Sequence, residues 1–164
     1  MSTYDLKALR NLLDASPTAR HVVHEAAKIL ERHGFTKWDG NGVPSAGHLS
    51  RGFFSRAGSI VAWSGIEKDS RLPLRMIGAH TDSPGLTLKP GPSASSFGFG
   101  LLNVEVYGGP LLNSWLDRDL ELAGVVTTTS GESVLFRSSE PVARISQLAI
   151  HLDRDVNEIG RAHV

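Results

Sequence analysis

Residues 76–86 read MIGAHTDSPGL: an apolar run, then a histidine, an aspartate two positions on, and a Ser-Pro-Gly turn. On an extended segment, side chains two apart share a face, so His80 and Asp82 can act as a unit. In such a pair one imidazole nitrogen binds a metal while the carboxylate accepts the proton on the other. The carboxyl ends of strands in open α/β sheets are also where ligands bind. His-x-Asp is a loose tripeptide, however, and a histidine beside a turn is more often simply solvated. Its meaning depends on what the other residues supply.

His151 and Asp153 form a second His-x-Asp. In a helical segment, positions two apart diverge by about 200°, which makes this copy the weaker metal candidate. His21, His24 and His33 fall in one helical stretch, where His21 and His24 face together at i, i+3 with no third ligand near them in sequence. Solvated helix surface is the better reading for these three. The triplet Asp117-Arg118-Asp119 reads as surface or interface ion pairs rather than acid/base machinery. No G-x-S-x-G, P-loop or G-x-G-x-x-G opening a helix is present, so serine-hydrolase and nucleotide-binding readings have no support. An enzyme that gathers His80, Asp82, His151 and Asp153 across a dimer would also need a general base. The glutamates of the chain, Glu25 and Glu105 among them, all sit in contexts typical of solvated surface.

Composition narrows the chemistry further. With 17 Lys+Arg against 17 Asp+Glu the chain has no net charge and no basic stripe for a phosphate backbone, so nucleic acid is not an expected partner. The absence of cysteine excludes disulfides, thiolate metal sites and cysteine nucleophiles together. Any metal must be held by histidine and carboxylates. Nothing approaches the run of about 18 apolar residues that spans a membrane, and the first residues carry scattered charges, so a cytoplasmic protein with no membrane partner is expected.

These residues must be positioned by elements that 164 residues with 40% hydrophobic content can bury in one ordinary domain, or one and a half small ones. Leu6, Leu9, Leu12 and Leu13 recur at helical spacing and predict a short amphipathic helix. A second helix is predicted with Ser16 as N-cap, Pro17 at its first position, an apolar face from Val22 to Leu30, and Gly34 at its end. Short extended pieces follow: FTKWD, GFFSRAGSIVAWSG and LPLRMIGAHTD. SIVAW and LRMIGAH lack clean alternation, as strands buried on both faces do. The Pro, Gly and Ser content of KPGPSASSFGFG, residues 89–100, predicts a boundary loop. Beyond it the chain reads as all-β, with Leu120, Leu122, Gly124 and Val126 on one face and TSGES as a hairpin turn. Ile145, Leu148, Leu152, Val156 and Ile159 fit a final helical period.

Several stretches, in order, resemble one family. SPTARHVVHEAAKILERHGF, SIVAW, MIGAHTDSPGLTLKP, VEVYGGPLLNSWLDRDLELAG and QLAIHLDRDVNE look like the M18 metallo-aminopeptidases, the aspartyl aminopeptidase family, across residues 16–158. The resemblance implies a partial zinc-peptidase α/β sandwich, residues 1–88, followed by a β-rich inserted dimerisation domain, residues 89–164. It implies that His80 is a zinc ligand and Asp82 the catalytic-site carboxylate that orients it. It implies that His151 reaches from the inserted domain into a neighbouring subunit's active site, where it helps hold substrate. The chemistry implied is hydrolysis of the first peptide bond of a peptide, preferentially after an acidic residue, at a site holding two zinc ions.

The family's bridging Asp, its Glu pair, its further carboxylate and its last zinc His lie beyond the inserted domain, and after Glu158 the sequence IGRAHV departs from the family pattern. A catalytic zinc takes about three protein ligands plus water, and the resemblance supplies one. The expectation is a truncated, frameshifted or fragment chain with weak zinc binding and no turnover alone. An incomplete sheet should also leave an unpaired edge and exposed apolar surface, favouring self-association or binding to a full-length homologue. The alternative from another class is a non-catalytic dimerisation module that acts with such a homologue.

Overall fold

The computed structural model describes residues 5–45, 50–65, 75–96, 98–152 and 154. Two helices, α1 (Leu6–Asp14) and α2 (Ala19–Arg32), precede the strands β1 (Thr36–Lys37), β2 (Arg51–Arg56), β3 (Ser59–Ser64), β4 (Gly85–Ser96) and β5 (Phe99–Tyr107). A 3₁₀ turn, Leu112–Trp115, leads to β6 (Asp119–Leu120), β7 (Ala123–Thr127), β8 (Ser133–Arg137) and β9 (Ala143–Arg144). The chain divides into two compact units: Met1–Pro84 with Ala123–Phe136, and Gly85–Leu122 with Arg137–Val164.

The first unit is built on α2. Its N-cap is Thr18, in extended backbone, whose hydroxyl accepts the His21 N–H; the predicted cap, Ser16, lies outside the helix with its Oγ buried and unpartnered. Two residues later than expected, the helix begins where a β-region residue with a side-chain acceptor precedes the helical run. The C-terminus closes as predicted at Gly34, φ +79°, where Gly34 N–H donates to Glu31 C=O and Phe35 N–H to Leu30 C=O. That pair of bonds is a Schellman ending, which needs a left-handed residue after the cap.

α2 packs on a three-stranded sheet in the order β1-β2-β3, with β1 parallel and β3 antiparallel to β2. Side chains alternate along β2, so Phe53 and Phe54 take opposite faces. Phe53, opposite Ala62, is fully buried and with Val23 of α2 forms the centre of the core. Ser55, on the face of Phe53, lines a groove with Val23 and Ala27 of α2 and Val125 and Leu135 of the β7–β8 hairpin. On the other face Trp38 meets Phe54 and Trp63 edge-on, at 5.7 and 6.5 Å between ring centres. β3 is an edge strand with Val61 half exposed, not the doubly buried strand its composition predicts. Leu6, Leu9 and Leu13 of α1 are likewise exposed, and Leu12 is half-buried.

Residues 75–80 form no strand. Met76 is 91% and Ile77 100% exposed, because no other described strand lies alongside to supply hydrogen bonds or cover. Periodicity reports a capacity to pair, and pairing needs a neighbour.

The second unit opens with the antiparallel β4–β5 pair. β4 runs through residues 88 and 89, and residues 89–96 and 99–100 of the predicted loop are strand. Its prolines are accommodated by a bulge: Leu88 pairs with Val104 and Ser93 with Leu102, leaving Lys89 to Pro92 out of register. A two-stranded ribbon is all edge, where missing N–H groups are tolerated. Trp115 packs on Gly85, 3.8 Å from where a β-carbon would sit. β6 pairs with β9, whereas β7 pairs with β8, so Leu120 and Val126 belong to separate sheets rather than one continuous face. The predicted turn at residues 129–133 is present, closed by Thr128 N–H on Glu132 C=O.

The predicted C-terminal helix is absent over its described part. Ala143–Arg144 is strand, Ile145 bridges to Leu116, and a turn follows at residues 150–152; the rest of that period lies outside the described residues. Among the described residues no helix is long and apolar enough to cross a membrane.

Candidate functional site

His80 and Asp82 meet across a bend at Thr81, outside any strand: Nδ1 of His80 lies 3.2 Å from Oδ1 of Asp82. This separation suits the tautomer in which Nδ1–H donates to the carboxylate and Nε2 offers its lone pair outward. The His80 side chain is 91% exposed, so that nitrogen has open access. An exposed pair of this kind adds little to folding.

The residue between them supplies the anchor. Thr81 Oγ1 donates to Gly58 C=O at 2.6 Å, tying the His80–Asp82 segment to the β2–β3 turn. That turn is itself fixed: Ala57 adopts φ +55°, and a β-carbon on Gly58 would stand 3.1 Å from Ala19 Cβ at the start of α2. Only glycine lets the turn approach the helix so closely. The chain of support runs from Ala19 at the start of α2, through Gly58, to Thr81 and so to His80 and Asp82 on either side of it. Sequence reading found the pair and missed the anchor, whose partner is 23 residues away.

The other sequence candidates are distributed elsewhere. His151 is exposed in the turn at residues 150–152, in the second unit, and its neighbour Asp153 lies outside the described residues. The helix histidines serve α2: His21 Nδ1 lies 2.8 Å from the Thr18 hydroxyl, and His33 Nδ1–H donates to Ile29 C=O at 2.8 Å. Of the charged triplet, Asp119 forms the expected surface ion pair, with Arg144 at 3.3 Å, whereas Arg118 donates to the backbone Ser114 C=O. Asp117 is different: it sits at φ +52° and makes backbone hydrogen bonds to the segment before His151.

The donors present fit one corner of a zinc site. An exposed imidazole backed by a carboxylate is a favourable zinc ligand, but among the described residues no group of three or more His, Asp or Glu converges.

Comparison with known proteins places the chain in a family. The chain is 44% identical over 159 residues to a probable M18 family aminopeptidase 2 of Streptomyces avermitilis, covering 93% of this chain and 35% of that protein. Its fold matches the crystal structure of the M18 aminopeptidase of Thermotoga maritima with a TM-score of 0.75 and 26% identity, over 91% of this chain and 34% of the other. It also matches the mApe1 dodecamer of S. cerevisiae with a TM-score of 0.71 and 25% identity, over 90% and 36% of the two chains. The chain thus spans about a third of the length of these relatives, and its mixed α/β architecture is theirs over that span. Residues 12–163 match the family described as Aminopeptidase I zinc metalloprotease (M18), and the chain therefore belongs to the M18 family of zinc metallo-aminopeptidases.

Proposed function

We propose that this chain contributes the histidine corner of an M18-type zinc aminopeptidase site, which removes N-terminal residues, acidic ones among them, from peptides. His80 is the zinc ligand, and Asp82 accepts its Nδ1–H and fixes the ring. His151 is the substrate-holding histidine that one subunit lends to another, and the β-rich part of the chain is the inserted element through which subunits pair. The observation that carries the reading is the 3.2 Å His80–Asp82 contact, anchored through Thr81, within a chain that matches the family along residues 12–163. The dodecameric state of the yeast relative supports self-association.

Two zinc ions, when bound, would polarise the scissile carbonyl and the attacking water. What this chain's residues do is narrower. Asp82 holds the His80 imidazole in one tautomer and one orientation, Thr81 holds both against the β2–β3 turn, and Nε2 is presented outward. One such ligand does not retain a catalytic zinc, so the 164 residues alone bind zinc weakly and hydrolyse nothing.

The test is zinc binding by the purified chain and its His80→Ala variant, measured by equilibrium dialysis, with turnover of peptides bearing N-terminal Asp, Glu or Ala on the same samples. We expect weak zinc binding that His80→Ala lowers at least tenfold, and no turnover. Zinc binding indifferent to His80→Ala would remove the assigned ligand; turnover by the chain alone would overturn the single-corner reading.

A further inference from the structure

We propose that Asp117 is a positioning residue for His151. The inference rests on the reading of His151 as a substrate-holding group, and it explains what sets that histidine's place in its own subunit. Asp117 lies at φ +52°, a left-handed conformation that costs most residues about 1–2 kcal/mol and that aspartate tolerates better than most.

Its polar groups converge on one segment. Asp117 N–H donates to Ile145 C=O at 2.8 Å, Arg144 Nη2 donates to Asp117 C=O at 3.2 Å, and Gln147 N–H donates to Asp117 Oδ1 at 3.2 Å. The neighbours on either side reinforce the hold, because Leu116 bridges to Ile145 and Asp119 pairs with Arg144 both in the β6–β9 ladder and through its carboxylate.

This staple consumes the backbone groups that would otherwise propagate a helix through residues 145–147. It leaves a short lead to the histidine. One residue, Leu148, separates Gln147 from Ala149, whose C=O accepts Leu152 N–H at 2.8 Å and so closes a turn with His151 in its third position. The left-handed backbone of Asp117 aims its carboxylate at Gln147, and Gln147 fixes where that turn begins. The charged triplet, which the zinc corner does not use, thereby acquires a role.

Three substitutions separate backbone from side chain. Asp117→Gly keeps the left-handed conformation and loses the acceptor, Asp117→Asn keeps both, and Asp117→Ala loses both. Each is made in the 164-residue chain and read by amide exchange at Gln147 and by the His151 ring resonances. The Leu122 amide, bonded to Ser138 Oγ in the same unit, is the control. In Asp117→Gly we expect exchange at Gln147 to rise about tenfold and the His151 ring to move toward its free-peptide shift, with Leu122 unchanged. Asp117→Asn should restore both signals. Unchanged exchange at Gln147, an opened Gln147 with an unmoved His151 ring, or Asp117→Asn behaving as Asp117→Gly would each overturn the proposal. If Asp117→Ala unfolds the unit, the glycine and asparagine variants still decide. These readouts need neither zinc nor turnover, so they fail or succeed separately from the aminopeptidase reading.

Discussion

At the scale of single residues, the His80–Asp82 pair can be told from an ordinary surface ion pair by what its loss does. A pair with a 91% exposed histidine contributes little to folding, so Asp82→Asn should change stability by less than about 0.5 kcal/mol. If the carboxylate orients a ligand, the same substitution should weaken zinc binding by about 10- to 100-fold. Thr81→Val removes the 2.6 Å bond to Gly58 while keeping the side chain's shape, and should lower zinc affinity in the same direction; Thr81→Ser should restore it. Thermal melts and zinc titration on the same samples separate the outcomes. A large loss of stability with unchanged zinc affinity would return the pair to a structural role. The pair was legible in the sequence because its members stand two positions apart. The anchor was not, because Gly58 enters only when the β2–β3 turn folds against α2.

Elements were legible where their determinants are local. α2, its Gly34 ending and the turn at residues 129–133 follow from periodicity, capping chemistry and turn residues within a few positions. Residues 75–80 and 145–152 were misread for a shared reason. Their patterns permit strand and helix, but the first has no strand alongside it among the described residues and the second has its backbone groups taken by Asp117. The predicted loop at residues 89–100 failed in the opposite direction, since proline and glycine forbid a central strand but not a bulged edge. The support beneath the zinc corner gives a test at this scale. Gly58→Ala forces a β-carbon to 3.1 Å from Ala19 and should destabilise the first unit by about 1–3 kcal/mol. Thr18→Ala, which removes the α2 cap, should cost about 1 kcal/mol. Urea denaturation followed by Trp38 and Trp63 fluorescence reads both, and Gly58→Ala should also loosen the zinc corner through Thr81. An intact zinc affinity in a destabilised Gly58→Ala chain would show that the corner does not depend on the turn.

At the scale of the whole molecule, the balance of burial sets the behaviour. Val23 and Phe53 are the only buried hydrophobic side chains among the described residues, whereas large apolar residues are exposed in both units. The β4–β5 pair shows where this matters most. Its register puts Leu86, Leu88, Leu102, Val104 and Val106 on one face, opposite partners in the ladder, and the last four remain 38–50% exposed. A two-stranded ribbon is marginal in water unless something covers its apolar face. Covering these side chains removes apolar area worth about 25 cal/mol per Å², which acts in favour of association. Sedimentation velocity over a hundredfold range of concentration should therefore show an association equilibrium. Replacing Leu102 and Val104 by glutamate, on the same face and with the ladder hydrogen bonds intact, should shift it toward monomer without unfolding the first unit. Concentration-independent monomer for the parent chain would mean that this face is tolerated in water and would remove the support it lends to the subunit-pairing reading. Association that survives both glutamates would instead assign the contact to another exposed apolar stretch, such as Leu6, Leu9 and Leu13 of α1 or Met76 and Ile77.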